Sequence, residues 1–364
     1  MSEVADFKPG LEGVVAVETE IAEPDRDGGS LRYRGVDIEE LVGSVPYEKV
    51  WGLLVDESLE PGMPEPEPYE PLTLTGVAPA DAQAELARLS VVWELGKLHL
   101  ISEKQARDDL ARLSAQLMAI VARSARIADG HNDPVADDQV AKGKTAAEKF
   151  LLRWRGEADP AHVTAIDTYW ICTAEHGLNA STFTARIAAS TGADAGASMS
   201  AAVGTLSGPL HGGAPAHVIP MIDEVAEMGD PERWVRDLLD RGERIMGFGH
   251  RVYRAEDPRA RLLSRTAEEL GSPRVETARA LEEAALAELK RRHPERELLT
   301  NVEYWAAIVL DVADIPAKLT PAMFACARVA GWSAHILEQK RDARVIRPAA
   351  RYVGPSARSL SSLT

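Results

Sequence analysis

From residue 79 onward, apolar residues recur along most of the chain at three- and four-residue steps, the period of a helix with one buried face. That pattern predicts helices over 80–96, 103–126, 142–155 and 160–190. The last carries the polar interruption Glu175-His176-Gly177-Leu178-Asn179. Another helix starts within 193–199 and ends at Ser207-Gly208-Pro209. Asp230-Pro231 and Asp257-Pro258 each read as an N-cap followed by proline at the first helical position. Residues 275–292 place Val275, Ala278, Leu281, Ala285 and Leu289 on one stripe and close on Lys290, Arg291 and Arg292, which suit the negative end of a helix. Residues 301–313 are helical, and Thr320-Pro321 opens an apolar helix to Gln339, with Trp332 expected to anchor a core or an interface. Near the start, Asp37 caps a helix through Ile38, Leu41 and Val42, and Pro46 opens another through Val50, Leu53 and Leu54.

Strand signals are confined to residues 11–34. Val14, Val15 and Val17, then 18–21, then 31–34 are expected as short strands, with a turn over 25–30. Residues 60–78 are rich in Pro and Glu and read as a surface connection. Residues 130–138 form a polar loop, and the tail beyond Ile346 is irregular. No internal repeat and no low-complexity block interrupts this series. The expected class is all-α with a short N-terminal β region.

At 364 residues the chain is long enough for one large domain or two. Hydrophobic residues at 45% and charged residues at 27% are ordinary for a soluble globular protein. A net charge of −16 argues against a general affinity for nucleic acid or anionic membrane, so an anionic ligand must be drawn by a local basic site. The two cysteines, Cys172 and Cys326, lie far apart in apolar helical settings without a CxxC pattern, and are expected as buried free thiols. The first residues lack an apolar leader and no run approaches a membrane span, which makes the cytoplasm the expected location.

Such a basic site lies in GERIMGFGHRVYRAEDPRARLLSR (242–265). Gly247-Phe248-Gly249 cannot be helix interior and presents His250, followed by Arg251, Arg254, Arg259 and Arg261. One imidazole with several guanidiniums suits an anionic, oxygen-rich ligand, because arginine forms bidentate bonds to carboxylate or phosphate. Two further histidines share polar or glycine-rich settings: His176 in the helix interruption and His211 in SGPLHGGAP. A glycine beside a histidine lets a ligand approach ring and backbone together. Taken singly, each reads more readily as a structural histidine. His335 and His99 are expected to be structural, and His131, His162, His217 and His293 to lie at the surface. No HExxH occurs, and GFGH is not a dinucleotide fingerprint, since no strand precedes it and no βαβ alternation exists.

Six stretches, in order, resemble the citrate synthase family in its shorter bacterial and archaeal form: GGSLRYRGVDIEELV (28–42), EHGLNASTFTAR (175–186), SGPLHGGAPAHV (207–218), IMGFGHRVYRAEDPRA (245–260), NVEYWAAIVL (301–310) and ARVAGWSAHILEQKRDARVIRPAARYVG (327–354). The resemblance implies a two-domain helical fold: a large domain over 1–212 and 315–364, a small one over 213–314, and the site between them. It implies a homodimer, with acetyl-CoA and oxaloacetate as substrates and neither metal nor redox cofactor. By resemblance, His211 stabilises the enol of acetyl-CoA, His250 polarises the oxaloacetate ketone and His176 also binds oxaloacetate. Arg259 and Arg328 meet the substrate carboxylates, Arg347 arrives from the neighbouring subunit, and Arg254 lies near the CoA phosphates. The family's catalytic base is an aspartate in Asn-Val-Asp, where this chain has Asn301-Val302-Glu303. A 2-methylcitrate synthase using propionyl-CoA and a catalytically weak homologue acting as a scaffold or regulator are the alternatives.

The chemistry is consistent with these assignments. The α-proton of an acyl-CoA is weakly acidic, and a carboxylate removes it only if a donor meets the developing enolate oxygen at once. A neutral imidazole held in a glycine-rich turn is such a donor.

Overall fold

The computed structural model describes residues 7–25, 27, 29–212, 217–249, 256–359 and 361. Fifteen helices are present among them: α1 (Ile38–Leu41), α2 (Tyr47–Asp56), α3 (Ala78–Val92), α4 (Glu103–Ala128), α5 (Asp137–Val140), α6 (Ala146–Arg155), α7 (Pro160–Thr173), α8 (Ala180–Ser190), α9 (Ala195–Leu206), α10 (Val218–Met228), α11 (Pro231–Asp240), α12 (Pro258–Glu269), α13 (Val275–Arg292), α14 (Val302–Val312) and α15 (Thr320–Asp342). A single small antiparallel sheet joins β1 (Ala22–Asp25), β2 (Ser30–Tyr33) and β3 (Val36–Asp37), with Ala22 opposite Tyr33 and Arg32 opposite Asp37. The fold is therefore all-α with a short N-terminal β region.

Local chemistry sets most boundaries. Asp37, Ser102, Asp159, Asn179, Asp194, Asp230, Asp257 and Asn301 all accept a backbone N–H at a helix start. Thr145 and Glu148 form a reciprocal capping box, so α6 begins four residues later than the periodicity suggests. The expected helix over 160–190 is two helices. Its polar interruption ends α7, and the Asn179 side chain opens α8 by accepting from Thr182 N at 3.1 Å.

Three expectations are corrected. Residues 14–20 form no strand. Val14 and Val15 are exposed, and no neighbouring strand is available to pair with them. Ile21 is instead a buried anchor whose carbonyl accepts from Arg34 N. Helix α10 was not anticipated, although Val218, Met221, Ile222 and Val225 are its buried stripe. His99 is exposed rather than packed.

Helix α15 runs through the core, packing on α2, α4, α7, α8 and α9. Its buried face includes Arg328, Gly331, Trp332, His335 and Gln339, residues at helical spacing that share a stripe. Helices α10, α11, α13 and α14 pack on one another, and α12 and α14 pack on α7. The ends of α7, α8, α12 and α14 and the flank of α15 thus converge. Cys172 and Cys326 are buried and unpaired, with burial pushing the Cys172 thiol up to about 12. No helix among the described residues is long and apolar enough to cross a membrane.

Candidate active site

The glycine-rich turn is built as a short ribbon. Gly247 and Gly249 have φ of +88° and +87°, a backbone that favours glycine. Phe248 pairs with Thr300, Gly249 N donates to Leu299 O at 2.7 Å, Asn301 N donates to Gly247 O at 2.9 Å, and Asn301 Nδ2 donates to Gly249 O at 3.1 Å. A Cβ at Gly247 would meet the Tyr304 side chain at 2.8 Å. The residue preceding His250 is thereby fixed to the segment that opens α14. His250 and Arg254 themselves lie outside the described residues.

Glu303 stands in the first turn of α14, its backbone N–H held by the Asn301 cap. Its carboxyl has no hydrogen-bond partner among the described residues. Burial pushes its pKa up to about 7, with the Arg259 charge opposing and the Asp257 charge adding to the rise. Arg259 is buried at the start of α12 and grips Asp257 with two nitrogens, Nε at 2.9 Å and Nη2 at 2.7 Å. Asp257 also accepts from Val302 N at 3.2 Å, so one carboxylate orients the guanidinium and braces the helix that carries Glu303.

Arg328 is buried on α15. Its Nε donates to Thr173 O at 2.9 Å and its guanidinium lies over the Phe324 ring at 4.6 Å. Its terminal nitrogens have no hydrogen-bond partner among the described residues. Burial pulls its pKa down, with Glu175 opposing and Arg259 reinforcing that effect. A buried guanidinium facing another cation is a site that favours an anion.

His211 follows the end of α9 in the turn 207–212. Its Nε2 is 2.9 Å from Ser181 Oγ, and its ring meets Phe324 edge-on at 6.1 Å. Ser181 Oγ also accepts from Trp332 Nε1 at 3.3 Å and lies 2.9 Å from Asn179 Oδ1. The hydroxyl has one proton for two acceptors. When it goes to His211 Nε2, the ring carries its own proton on Nδ1 and can donate there. Burial, and then the Arg328 charge, pull the His211 pKa down to about 4, with a backbone hydrogen bond opposing. The ring is therefore neutral near pH 7.

These groups lie within electrostatic reach of one another: Arg328 acts on His211 and is acted on by Arg259, Arg259 acts on Glu303, and the Tyr169 hydroxyl feels both Arg328 and Glu303. His176 sits partly buried in the loop between α7 and α8. Arg347 is exposed in the extended segment after α15 and is not brought to this cluster. Trp332 is fully buried within the chain, so it anchors the core and supports Ser181 rather than an interface. Sequence reading missed Ser181 and Asn179 as supports of His211, and Asp257 as the clamp on Arg259. All three lie inside the quoted motifs, where Asp257 carried only a helix-start signal, Asn179 only a helix interruption and Ser181 no signal.

Comparison with known proteins agrees with this geometry. The family profile described as "Citrate synthase, C-terminal domain" matches residues 10–349. A Mycobacterium tuberculosis protein carried as a candidate citrate synthase 2 is 55% identical over 98% of this chain and 96% of its own length. The 2-methylcitrate synthase of Shewanella oneidensis is 34% identical over 96% of both chains. Among solved structures, the Thermoplasma acidophilum citrate synthase in ternary complex with carboxymethyl coenzyme A and oxaloacetate aligns with a TM-score of 0.82 at 28% identity, over 97% of this chain and 98% of that one. The chain belongs to the citrate synthase family of enzymes.

Proposed function

We propose that the chain condenses acetyl-CoA with oxaloacetate and water to give citrate and CoA. The observation that carries this reading is the gathering of Glu303, neutral His211 and the buried cations Arg259 and Arg328 in one locus. A carboxyl that titrates near 7 is a stronger base than an ordinary glutamate and remains largely ionised in mildly alkaline solution. Glu303 takes a methyl proton from acetyl-CoA while His211 Nδ1–H donates to the thioester oxygen, so negative charge develops against a donor already in place. The enolate carbon attacks the ketone carbon of oxaloacetate, whose carboxylates Arg259 and Arg328 hold. By family resemblance, His176 and His250 bind and polarise that ketone, and Arg254 meets the CoA phosphates. Hydrolysis of the resulting citryl-CoA releases both products. As written, each step needs acid–base groups and fixed charge, with neither metal nor redox cofactor.

The same reading divides the chain into a large domain (1–212 and 315–364) and a small one (213–314), with the site between them. It makes the active unit a cytoplasmic homodimer in which Arg347, exposed here, enters the neighbouring subunit's site. Likeness to the Shewanella protein supports propionyl-CoA as the second substrate to test. One methylene changes acyl-group binding by only about 1–3 kcal/mol, so both thioesters are expected to react. The test is CoA release followed with acetyl-CoA and propionyl-CoA, each with and without oxaloacetate. Release that depends on oxaloacetate and has the higher kcat/KM with acetyl-CoA is expected. A preference for propionyl-CoA would make the enzyme a 2-methylcitrate synthase, and no oxaloacetate-dependent release would leave a scaffold role.

A further inference from the structure

Behind the site runs a continuous line of buried polar side chains that the proposed chemistry does not use. Glu175, the residue before His176, is 0% exposed; its Oε1 is 3.2 Å from His335 Nε2 and its Oε2 has no hydrogen-bond partner among the described residues. His335, also 0% exposed, has its Nδ1 3.0 Å from Arg186 Nη1. A guanidinium can only donate, so Nδ1 accepts, the ring proton sits on Nε2, and the imidazole donates to Glu175. Arg186, 1% exposed on α8, also donates through Nη1 to Glu338 and through Nε to Gln339 Oε1 at 3.0 Å. Gln339 Nε2, in turn, donates to Arg344 O at 3.0 Å. Two residues further, Ile346 N donates to Ser190 Oγ, also on α8, at 3.1 Å. The line thus begins at the loop bearing His176 and ends at the segment bearing Arg347.

We infer that Arg186 is a positioning residue shared by two active sites: through His335 and Glu175 it sets the His176 loop of its own subunit, and through Gln339 it sets the segment that delivers Arg347 to the neighbouring one. The inference rests on the proposed placing of Arg347. The links from Glu175 through His335 and Arg186 to Gln339 are directed hydrogen bonds between buried groups, with no bulk water to take over when one is cut, and those to Arg344 O and Ile346 N are partly buried. Gly331 belongs to the same construction. A Cβ there would collide with Glu175 Oε2 and the Ala174 carbonyl, so only glycine lets α15 approach the loop this closely.

Two substitutions perturb the line at opposite ends, one by removing a charge and one by removing a donor. E175Q keeps the shape and the hydrogen bond from His335 but removes the charge. Q339E keeps the acceptor for Arg186 but replaces the donor to Arg344 O with a carboxylate. Each is expected to raise the oxaloacetate KM about tenfold with kcat within about threefold, because binding groups shift while the enolate chemistry stays in place. In the double variant the KM should rise by clearly less than the product of the two effects, since both act through one guanidinium. Should E175Q fail to fold, H335Q, which keeps a donor and an acceptor, replaces it. S190A, which removes the acceptor for Ile346 N, replaces Q339E. R347L serves as the control for the underlying reading. If R347L leaves the oxaloacetate KM unchanged, the placing of Arg347 fails and the inference with it. If R347L raises the KM while folded Q339E or S190A does not, or if the two effects multiply in full, the inference alone is overturned.

Discussion

Glu175 and Glu303 are the same residue type in opposite circumstances. Each adjoins the proposed substrate-binding cluster, Glu175 fully buried and Glu303 half-buried. Glu175 sits against an imidazole that is itself fixed by a guanidinium. Glu303 differs: its backbone is capped by Asn301 and braced by Asp257, and its carboxyl has no hydrogen bond among the described residues. A carboxylate with a directed donor is fixed in orientation by that donor. A desolvated carboxyl without one holds its proton up to about pH 7 and, once ionised, is a strong base. On the proposed reading the same side chain is scaffold in one place and reagent in the other, and the difference lies in its neighbours.

The sharpest way to break that contrast is to remove the charge of Glu303. E303Q should lower kcat by at least about a thousandfold with acetyl-CoA, since it removes the base proposed to take the methyl proton. Oxaloacetate binding, measured by calorimetry, should persist. Stability should move the other way. The folded pKa of about 7 lies above the unfolded value of 4.5, so the folded state binds the proton more tightly between these values. Wild-type stability is then highest, with respect to this group, below pH 4.5 and falls as pH rises to 7. By linkage the full loss is about 3 kcal/mol, and E303Q should recover it. Thermal melts at pH 8 should therefore show the glutamine variant more stable than the wild type, with the gap closing toward pH 5. Near-normal turnover in E303Q would place the base elsewhere.

A smaller effect is expected at the donor. H211A should cost about a hundredfold in kcat, the usual loss when one oxyanion donor is removed, with a lesser change in substrate KM. A variant within a few-fold of wild type would return His211 to a structural role. S181A separates the two parts of this argument. If the hydroxyl proton goes to Nε2, its loss frees the ring from the Nδ1–H tautomer, and kcat should fall by about tenfold while His211 remains in place.

Much of this architecture is legible in the sequence, and the reasons are local. The Asp-Pro and Asn caps announce α11, α12 and α14, and the Gly-Phe-Gly turn marks itself by its glycines. The stripe Arg328-Trp332-His335 lies on a helix that periodicity alone reveals. What is not legible depends on partners distant in sequence. Val14 and Val15 have strand-like side chains but no strand beside them. Asn179 reads as part of a helix interruption, and Ser181 as ordinary helix, until His211, thirty residues beyond Ser181, is brought against the hydroxyl. Arg186, His335 and Gln339 are separated by about 150 positions and form a line only once α15 lies along α8. Glu303 was visible as a departure from the family aspartate, whereas its isolation from any hydrogen-bond donor was not.

The finest test concerns the length of that side chain. Glutamate places its carboxylate about one methylene further from the backbone than aspartate, and displacement of about 1 Å can cost up to a hundredfold in rate. Two accounts are open to measurement. In one, α14 is set back so that glutamate reaches the acyl carbon and aspartate falls short. In the other, glutamate is a poor replacement and aspartate would work faster. The structure favours the first. The start of α14 is held from several directions, by the Asn301 cap, by Asp257 on Val302 N, and by the ribbon that ties 299–301 to the glycine turn, so the backbone cannot easily advance to bring a shorter side chain forward. E303D is therefore expected to lower kcat by about three- to tenfold at saturating oxaloacetate, a modest loss because a water or a small rotation recovers part of the reach. Its pH profile distinguishes reach from basicity. In the wild type, kcat/KM should fall about tenfold per unit below pH 7 as Glu303 takes up its proton. If E303D keeps that limb near 7 with a lower plateau, the shorter arm is responsible. If the limb moves down toward 5 and the plateau falls with it, the retracted carboxylate has found a donor, and the loss is one of base strength. A faster E303D at every pH would sink the account of a set-back helix.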